Sequence, residues 1–367
     1  MPRAKIRAIV LFLMIVILSS LFLWFSLPAP PSRKEALLSC LSKTQLLDGS
    51  ACATPGELFV HAGTTYFLIS ASRTLEASDT LNVDNAVKWI AVRQAGDGSF
   101  DHVLWSTYYS VMALKAIGSL QFIDADSVVR WLVNLPENST FLSNRITDIY
   151  ESIMILNGTG SLSKIDSEKV TFHLLQFYDA DDGSFHDELS HEPYFESTEQ
   201  AVSILHVLDA LNTINVNKTA EFIVSIHEKV LSDEIRFILP IPLLFTTNAL
   251  HVLGRLDMIN LERTIDFIKK SQTGDGTFSN RPYGPHDPVF TSLEIDWSYV
   301  CTLSLLNALD ILDEPLYICN SFVQAYDSWL RSRNVTIIAL IILSSVTMVF
   351  VSYGRIREFL TKRRKKA

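Results

Sequence analysis

The sequence predicts an all-α fold: six helical hairpins arranged in two concentric rings, flanked by two transmembrane helices. Three observations carry that reading. A short turn recurs along the chain, the segment that follows each copy is strongly apolar, and an uncharged apolar run stands near each end.

The turn reads Gln94-Ala95-Gly96-Asp97-Gly98-Ser99-Phe100, then Tyr178-Asp179-Ala180-Asp181-Asp182-Gly183-Ser184-Phe185, then Gln272-Thr273-Gly274-Asp275-Gly276-Thr277-Phe278. Self-similarity at a spacing of tens of residues marks a stacked array. Gly permits a positive φ, and Asp and Ser can bond nearby backbone amides. Worn copies fill the gaps: Gln45-Leu46-Leu47-Asp48-Gly49-Ser50, Asn138-Ser139-Thr140-Phe141, and one ending at Phe237. Phe100, Phe141, Phe185, Phe237 and Phe278 then follow one another at intervals of 41, 44, 52 and 41 residues.

Around the first clear turn, Val83, Val87, Ile90 and Ala91 recur at helical spacing behind Asn82 as N-cap, and 105–117 is mostly apolar. The same alternation predicts helices at 64–72, 127–134, 147–156, 167–178, 197–211, 243–253, 261–271 and 294–312. The second helix of each hairpin is apolar nearly all round and must be buried, so these helices form the inner ring and the amphipathic ones the outer ring. Short connections make neighbours antiparallel, which brings every turn to one face.

Residues 8–27 and 335–353 carry no charge, and about 20 apolar residues suffice to cross a bilayer. Basic residues flank both on the outer sides: Arg3, Lys5 and Arg7 before the first, Arg355, Arg357 and 362–366 after the second. The positive-inside bias predicts a cytoplasmic N-terminus at 1–7, a basic cytoplasmic tail at 354–367, and an extracytoplasmic domain at 35–330 behind a linker at 28–34. A cleaved signal peptide is the competing reading of 8–27. The run is long for one, and Leu27-Pro28-Ala29-Pro30-Pro31 lacks a small-x-small cleavage site.

With +3 on the first 30 residues and +8 on 331–367, the total of −9 leaves −20 on residues 31–330. A domain this acidic repels phosphate backbones, so nucleic acid is excluded as a partner, while membrane lipids are a natural contact for the basic tail. Cys40, Cys52, Cys301 and Cys319 all fall in the outward segment and allow two disulfides in three connectivities. Asn138, Asn157, Asn217 and Asn334 head Asn-x-Ser/Thr acceptors, as suits an exported glycoprotein.

Gln-x-x-Asp-Gly-Ser-Phe followed by Ser106, Thr107, Tyr108, Ala113 and Leu114 resembles the repeat shared by protein prenyltransferase β-subunits and by squalene and terpenoid cyclases. The resemblance covers roughly residues 35–330 and implies an α/α toroid of six hairpins around a central cavity. It specifies the fold and leaves the reaction open.

Protein prenyltransferases hold zinc with an Asp-x-Cys pair and a distant His. Asp296 and Cys301 are the nearest counterparts here, but i and i+5 do not share a helix face. Class II terpenoid cyclases use an Asp-x-Asp-Asp acid, and Asp179-Ala180-Asp181-Asp182 matches that string. Asp182 is however the Asp of the repeated turn, and an exposed turn cannot keep a carboxyl protonated. The loops after the turns carry His61, Asp101-His102, His186-Asp187, His191-Glu192 and His286-Asp287. His61, His102 and His286 belong to hairpins that adjoin once the ring closes, so they are candidates for a divalent metal.

Aligned inner helices place Tyr66, Tyr109, Tyr150, Phe245 and Tyr299 at one position, with Gln200 in the fourth hairpin, as a cavity collar or a packing rule. Two functions follow: a non-enzymatic toroid binding a lipid, isoprenoid, peptide or protein in its cavity or rim, or a transferase or cyclase acting on an isoprenoid. Few Lys or Arg residues lie near the rim to hold a diphosphate, Arg281 being the main exception.

Overall fold

The structure, a computed structural model, describes residues 31–52, 61–77, 79, 81–187, 195–232, 241–273, 277–279 and 292–314. Its helices alternate between two rings. The outer ring holds α1 (Arg33–Thr44), α3 (Val83–Ala91), α5 (Ala125–Asn134), α7 (Ser167–Leu174), α9 (Val216–Leu231) and α11 (Leu261–Ser271). The inner ring holds α2 (Ala62–Thr74), α4 (Leu104–Ala116), α6 (Ile146–Gly158), α8 (Phe195–Val207), α10 (Ile241–Val252) and α12 (Ser292–Leu305). Each inner helix packs on the next, and α12 packs back on α2, which closes the ring.

Local chemistry sets both ends of these helices. Asn82, Asp124, Asp166, Asn215 and Asn260 cap five outer helices, each side chain accepting from a backbone N–H three residues on. Such a cap contributes about 1 kcal/mol. Every inner helix stops two residues before a left-handed residue: Glu76, Gly118, Gly160, Asp209, Gly254 and Asn307. The residue after each donates its N–H back to the helix, as Ser119 does to Leu114 O at 2.8 Å and Ala308 to Leu303 O at 2.9 Å. These stops shorten two expectations, 197–211 to a helix ending at Val207 and 294–312 to one ending at Leu305. Asp and Asn tolerate the left-handed region, so Asp209 and Asn307 end helices without a glycine. The expected 167–178 helix also ends early, at Leu174, and tightens into the 3-10 turn Leu175–Phe177.

The recurring turn is a latch between hairpins. Gln94 pairs with Phe100 by a single antiparallel bridge, as Gln45 does with Ala51, Tyr178 with Phe185 and Gln272 with Phe278. Within the turn Ser99 N and Oγ both donate to Asp97 Oδ1, at 3.0 and 2.6 Å. Outside it, Gln94 Nε2 donates to Asp124 O at 2.9 Å and Gln94 Oε1 accepts from Asp124 N at 2.9 Å. Gln45 treats Asn82 the same way, at 3.1 and 2.8 Å. The last turn does this to the first outer helix, because Gln272 Nε2 donates to Arg33 O at 3.3 Å and Gln272 Oε1 accepts from Arg33 Nη1 at 2.8 Å. Ring closure therefore reuses the glutamine of the repeat. Phe100, Phe185 and Phe278 are buried between the rings, each contributing about 2–3 kcal/mol of apolar burial.

Arg33 N also donates to Glu314 O at 3.0 Å, so the two chain ends of the toroid leave side by side. Among the described residues no helix is long and apolar enough to cross a membrane. The segments 8–27 and 335–353 lie outside the described residues, as do Phe237, Arg281, His191, His286, Cys319 and Asn334.

Candidate functional site in the central lumen

The rim residues singled out in the sequence are bound up in local structure. His61 caps α2: Thr64 N donates to His61 Nδ1 at 3.2 Å, and the ring lies edge-on to Trp105 with centroids 5.7 Å apart. Burial holds its pKa below the ordinary value. His102 Nδ1 lies 3.1 Å from Asp97 Oδ2 and 3.2 Å from Ser99 Oγ, fastening the turn. No group of three His, Cys, Asp or Glu side chains disposed for a metal occurs among the described residues.

Asp182 accepts from Ser184 N and Oγ at 2.8 and 2.6 Å, repeating the Asp97 clamp. Asp179 accepts from Asp181 N at 2.7 Å, so all three aspartates belong to the turn. Asp296, buried at 2 % exposure, accepts from Phe278 N at 2.7 Å. Thr107 and Thr198 do the same for Phe100 and Phe185, and Thr65 for Ala51. Asp296 thus occupies a structural position of the repeat.

Cys52 Sγ lies 3.1 Å from Thr44 O. Cys301 is in the inner ring beside Tyr66 and Ser70, and burial pushes its thiol up to about 12. Neither is in a disulfide, and Cys40 is half-buried on α1. Asn138 is exposed, Asn157 is half-buried in the last turn of α6, and Asn217 accepts from Arg255 Nη2 at 2.9 Å.

The left-handed residues fix the register of the inner helices. Ten residues before each stand Tyr66, Tyr108, Tyr150, Glu199, Leu244 and Trp297; nine before stand Phe67, Tyr109, Glu151, Gln200, Phe245 and Ser298. Tyr150 therefore shares the position of Tyr66, whereas Tyr109 and Phe245 stand one residue later and Tyr299 two, so the five aromatics do not occupy one position as expected. Phe245 packs on Phe195 of α8, with ring centroids 6.0 Å apart. Tyr299, fully buried, packs on Phe278 at 4.8 Å between the rings.

One side of the lumen is aromatic. Phe67 stacks on Trp297 at 4.6 Å and meets Tyr109 edge-on at 5.5 Å; Tyr66 lies 5.6 Å from Tyr109 and 5.8 Å from Trp297. Tyr108 continues the wall to Tyr150, with ring centroids 5.8 Å apart and hydroxyls at 3.4 Å. The other side is polar. Glu199 Oε1 accepts from Asn248 Nδ2 at 2.6 Å and Ser203 Oγ at 2.9 Å, and Gln200 Oε1 accepts from Thr147 Oγ1 at 3.1 Å.

These inner helices are consequently not apolar all round: they carry Glu151, Glu196, Glu199 and Glu294. Burial pushes the Glu151 carboxyl up to about 8, Asp148 adding and Arg145 opposing. Burial pushes Glu199 up to about 7 against its two donors. Glu196 is raised by burial, Asp187 and Glu294, and the Tyr109 hydroxyl by burial and by Glu294, Glu151 and Glu196. The Tyr109 hydroxyl thus lies within electrostatic reach of carboxylates from α6, α8 and α12, namely Glu151, Glu196 and Glu294. Sequence reasoning missed Phe67, Tyr108, Trp297 and the four glutamates. The signal that finds them is the residue that ends each inner helix.

A closed ring of paired helices, the inner ones carrying aromatic and acidic side chains, defines an α/α toroid. Residues 6–101, 101–232 and 143–336 match the prenyltransferase alpha-alpha toroid domain, and the chain belongs to that family. Among solved structures it is similar to Candida albicans protein geranylgeranyltransferase-I complexed with GGPP, with TM-score 0.53 and 13% identity over 70% of this chain and 91% of that one. It is also similar to the type II terpene cyclase MstE from Scytonema, at TM-score 0.49 and 10% identity over 76% and 97%. No curated protein matches the sequence.

Proposed function

We propose that the toroid binds an apolar chain, an isoprenoid or lipid tail, within its lumen, and is held at a membrane by 8–27 and 335–353 with the ring on the extracytoplasmic side. The observation that carries this is the aromatic wall. Tyr66, Phe67, Tyr108, Tyr109 and Trp297 come from three adjacent inner helices and pack ring on ring as one continuous aromatic wall. Concave sites lined by aromatic residues with a few polar groups are the usual form of a small-molecule site. The Candida enzyme's structure holds GGPP. A chain of that kind suits this wall, but its diphosphate does not suit a lumen that gathers Glu151, Glu196, Glu199 and Glu294.

Extraction and mass analysis of the purified full chain tests the reading. A stoichiometric co-purifying apolar molecule, lost on Tyr109→Ala with Phe67→Ala, is expected; none in either protein refutes it. One observation favours a second reading as an enzyme on an isoprenoid: Glu199 is a buried carboxyl with an elevated pKa, a form suited to proton transfer. Conversion of an added prenyl substrate, abolished by Glu199→Gln, would decide for it.

A further inference from the structure

The two ends of the toroid leave it at a turn. Arg33 N donates to Glu314 O at 3.0 Å, and Arg33 Nη1 donates to Gln272 Oε1 at 2.8 Å and to Lys269 O at 3.2 Å. Gln272 grips the start of α1 as Gln45 grips that of α3 and Gln94 that of α5, so the turn at the seam is placed like the others. His61 meets Trp105 at 5.7 Å where α2 and α4 begin, and Tyr66 meets Tyr109 at 5.6 Å one turn further on. These two helices therefore run in one direction, and the turns that lead into them share a side of the ring with the chain ends. Apolar side chains stand uncovered on that side. Leu47, at the tip of the first turn, is 98 % exposed; Val92, before the second, 80 %; Val103 and Trp105, after it, 39 % and 41 %. The aromatic wall also comes to the surface here, since the Trp105 ring lies 6.3 Å from Tyr109. Exposed apolar groups gathered in one region mark a contact surface.

We propose that this side of the ring, with Leu47, Val92, Val103 and Trp105, rests on the extracytoplasmic leaflet of a phospholipid bilayer. This rests on 8–27 being a membrane span. Arg33 follows Leu27 by only six residues, Pro28, Pro30 and Pro31 among them, so it lies within about 20 Å of the hydrocarbon. The second tether, 315–334, is longer and sets no closer limit. A seam held that close brings the turn side, rather than the far ends of the inner helices, to the lipid. Leu47 and Val92 then leave water for the interface, and Trp105 stands where tryptophan is enriched, between headgroups and hydrocarbon. Asp48, Asp97 and Asp101 stand among these side chains, so the contact suits zwitterionic lipid and is opposed by an anionic surface.

The test uses the full chain in phosphatidylcholine nanodiscs, with the fluorescent amino acid Anap replacing Leu47, Val92 or Trp105 one at a time. Arg73 and Lys115, exposed in the last turns of α2 and α4 and so about 15 Å from the turn side, are replaced for comparison. Phosphatidylcholine bearing a nitroxide on its headgroup is then mixed into the discs. Loss of emission is expected at Leu47, Val92 and Trp105, with emission retained at Arg73 and Lys115. Leu47 and Val92, being almost wholly exposed, keep the test should replacement of Trp105 unfold the chain. Equal loss at both ends of the helices, or loss at Arg73 and Lys115 alone, overturns the docking side while the span stands. Emission retained at every position in a chain that resists alkaline carbonate also overturns it, leaving a protein partner or a second copy to cover these side chains. A chain released from liposomes by carbonate overturns both the docking side and the membrane anchor.

Discussion

Gly98→Ala places a methyl group where another hairpin's backbone already is. Gly98 has φ +98, and a Cβ built there lies 2.3 Å from both the C and O atoms of Ser127, in the first turn of α5. Gly49 and Gly183 make the same approach, to Asn85 C at 2.1 Å and Thr219 N at 2.6 Å. Two costs add: about 1–2 kcal/mol for an L-residue at positive φ, and about 1–3 kcal/mol for forcing apart packed backbone. The expected loss is roughly 2–5 kcal/mol, seen as a fall in Tm of roughly 5–15 °C. Two other glycines separate the terms. Gly118 has φ +66 but nothing within 4 Å, so Gly118→Ala bears strain alone, about 1 kcal/mol; Glu76, Asp209 and Asn307 stand at the same place in other hairpins. Gly96 has neither, and Gly96→Ala should be neutral or stabilising by about 0.4–1 kcal/mol. Urea and thermal unfolding followed by circular dichroism rank the three. If Gly98→Ala unfolds no sooner than Gly118→Ala, the latch does not hold hairpin to hairpin.

Four further outcomes are expected. His227 is fully buried, its ring nitrogens 3.0 and 2.9 Å from Thr246 Oγ1 and Thr264 Oγ1, and burial lowers its pKa to about 4. Its neutral form is favoured by folding, so stability present above about pH 6.5 is lost as pH falls towards 4; the unfolding free energy from urea titrations should fall by about 2 kcal/mol between pH 7.5 and 5, less so in His227→Gln. Glu151 has the opposite sign: its raised pKa makes stability fall as pH rises from about 4.5 through 8, so Glu151→Gln should stabilise the protein at pH 7 by up to about 3 kcal/mol, and a destabilised variant would contradict the burial argument. Arg33→Ala removes the guanidinium bonds to Gln272 Oε1 and Lys269 O, leaving the Gln272 bond to the backbone carbonyl, and should cost about 1–3 kcal/mol, with faster amide exchange confined to α1 and α11. Asn138 should carry a glycan when the chain is expressed in a eukaryotic host, and a mass unchanged by endoglycosidase would remove the extracytoplasmic assignment.

The repeat was legible because its chemistry is local. Gln, Asp, Gly, Ser and Phe each have one job within seven residues, so even the worn copy at Asn138 to Phe141 marks a hairpin. Closure was legible only in part. That Gln272 meets Arg33 depends on residues 239 positions apart, although Gln45, Gln94 and Gln272 open their turns alike. The lumen was the hardest to read, since a lumen-facing residue and its neighbour in the shell differ by a single position. Tyr108 and Tyr109 look equivalent in sequence, and Tyr299 looks like Tyr66. The register becomes fixed at the helix ends, where Gly118, Gly160 and Gly254 stand out and Glu76, Asp209 and Asn307 do not.

The rim and the lumen divide the labour differently from what residue chemistry alone suggests. Histidines and aspartates cluster in the turn loops, yet His61 caps a helix, His102 fastens a turn, and Asp97, Asp182 and Asp296 hold the backbone that makes the ring. Their polar groups are satisfied where they stand and gain nothing from a ligand. Glu151 on α6 is the reverse: buried, raised in pKa, and without a hydrogen bond among the described residues. A fold that latches each hairpin to the next through its turns can tolerate such a group, because the stability of the ring does not pass through its centre. Hairpin turns carry the architecture, and at equivalent positions the inner helices differ from one another in charge and ring type.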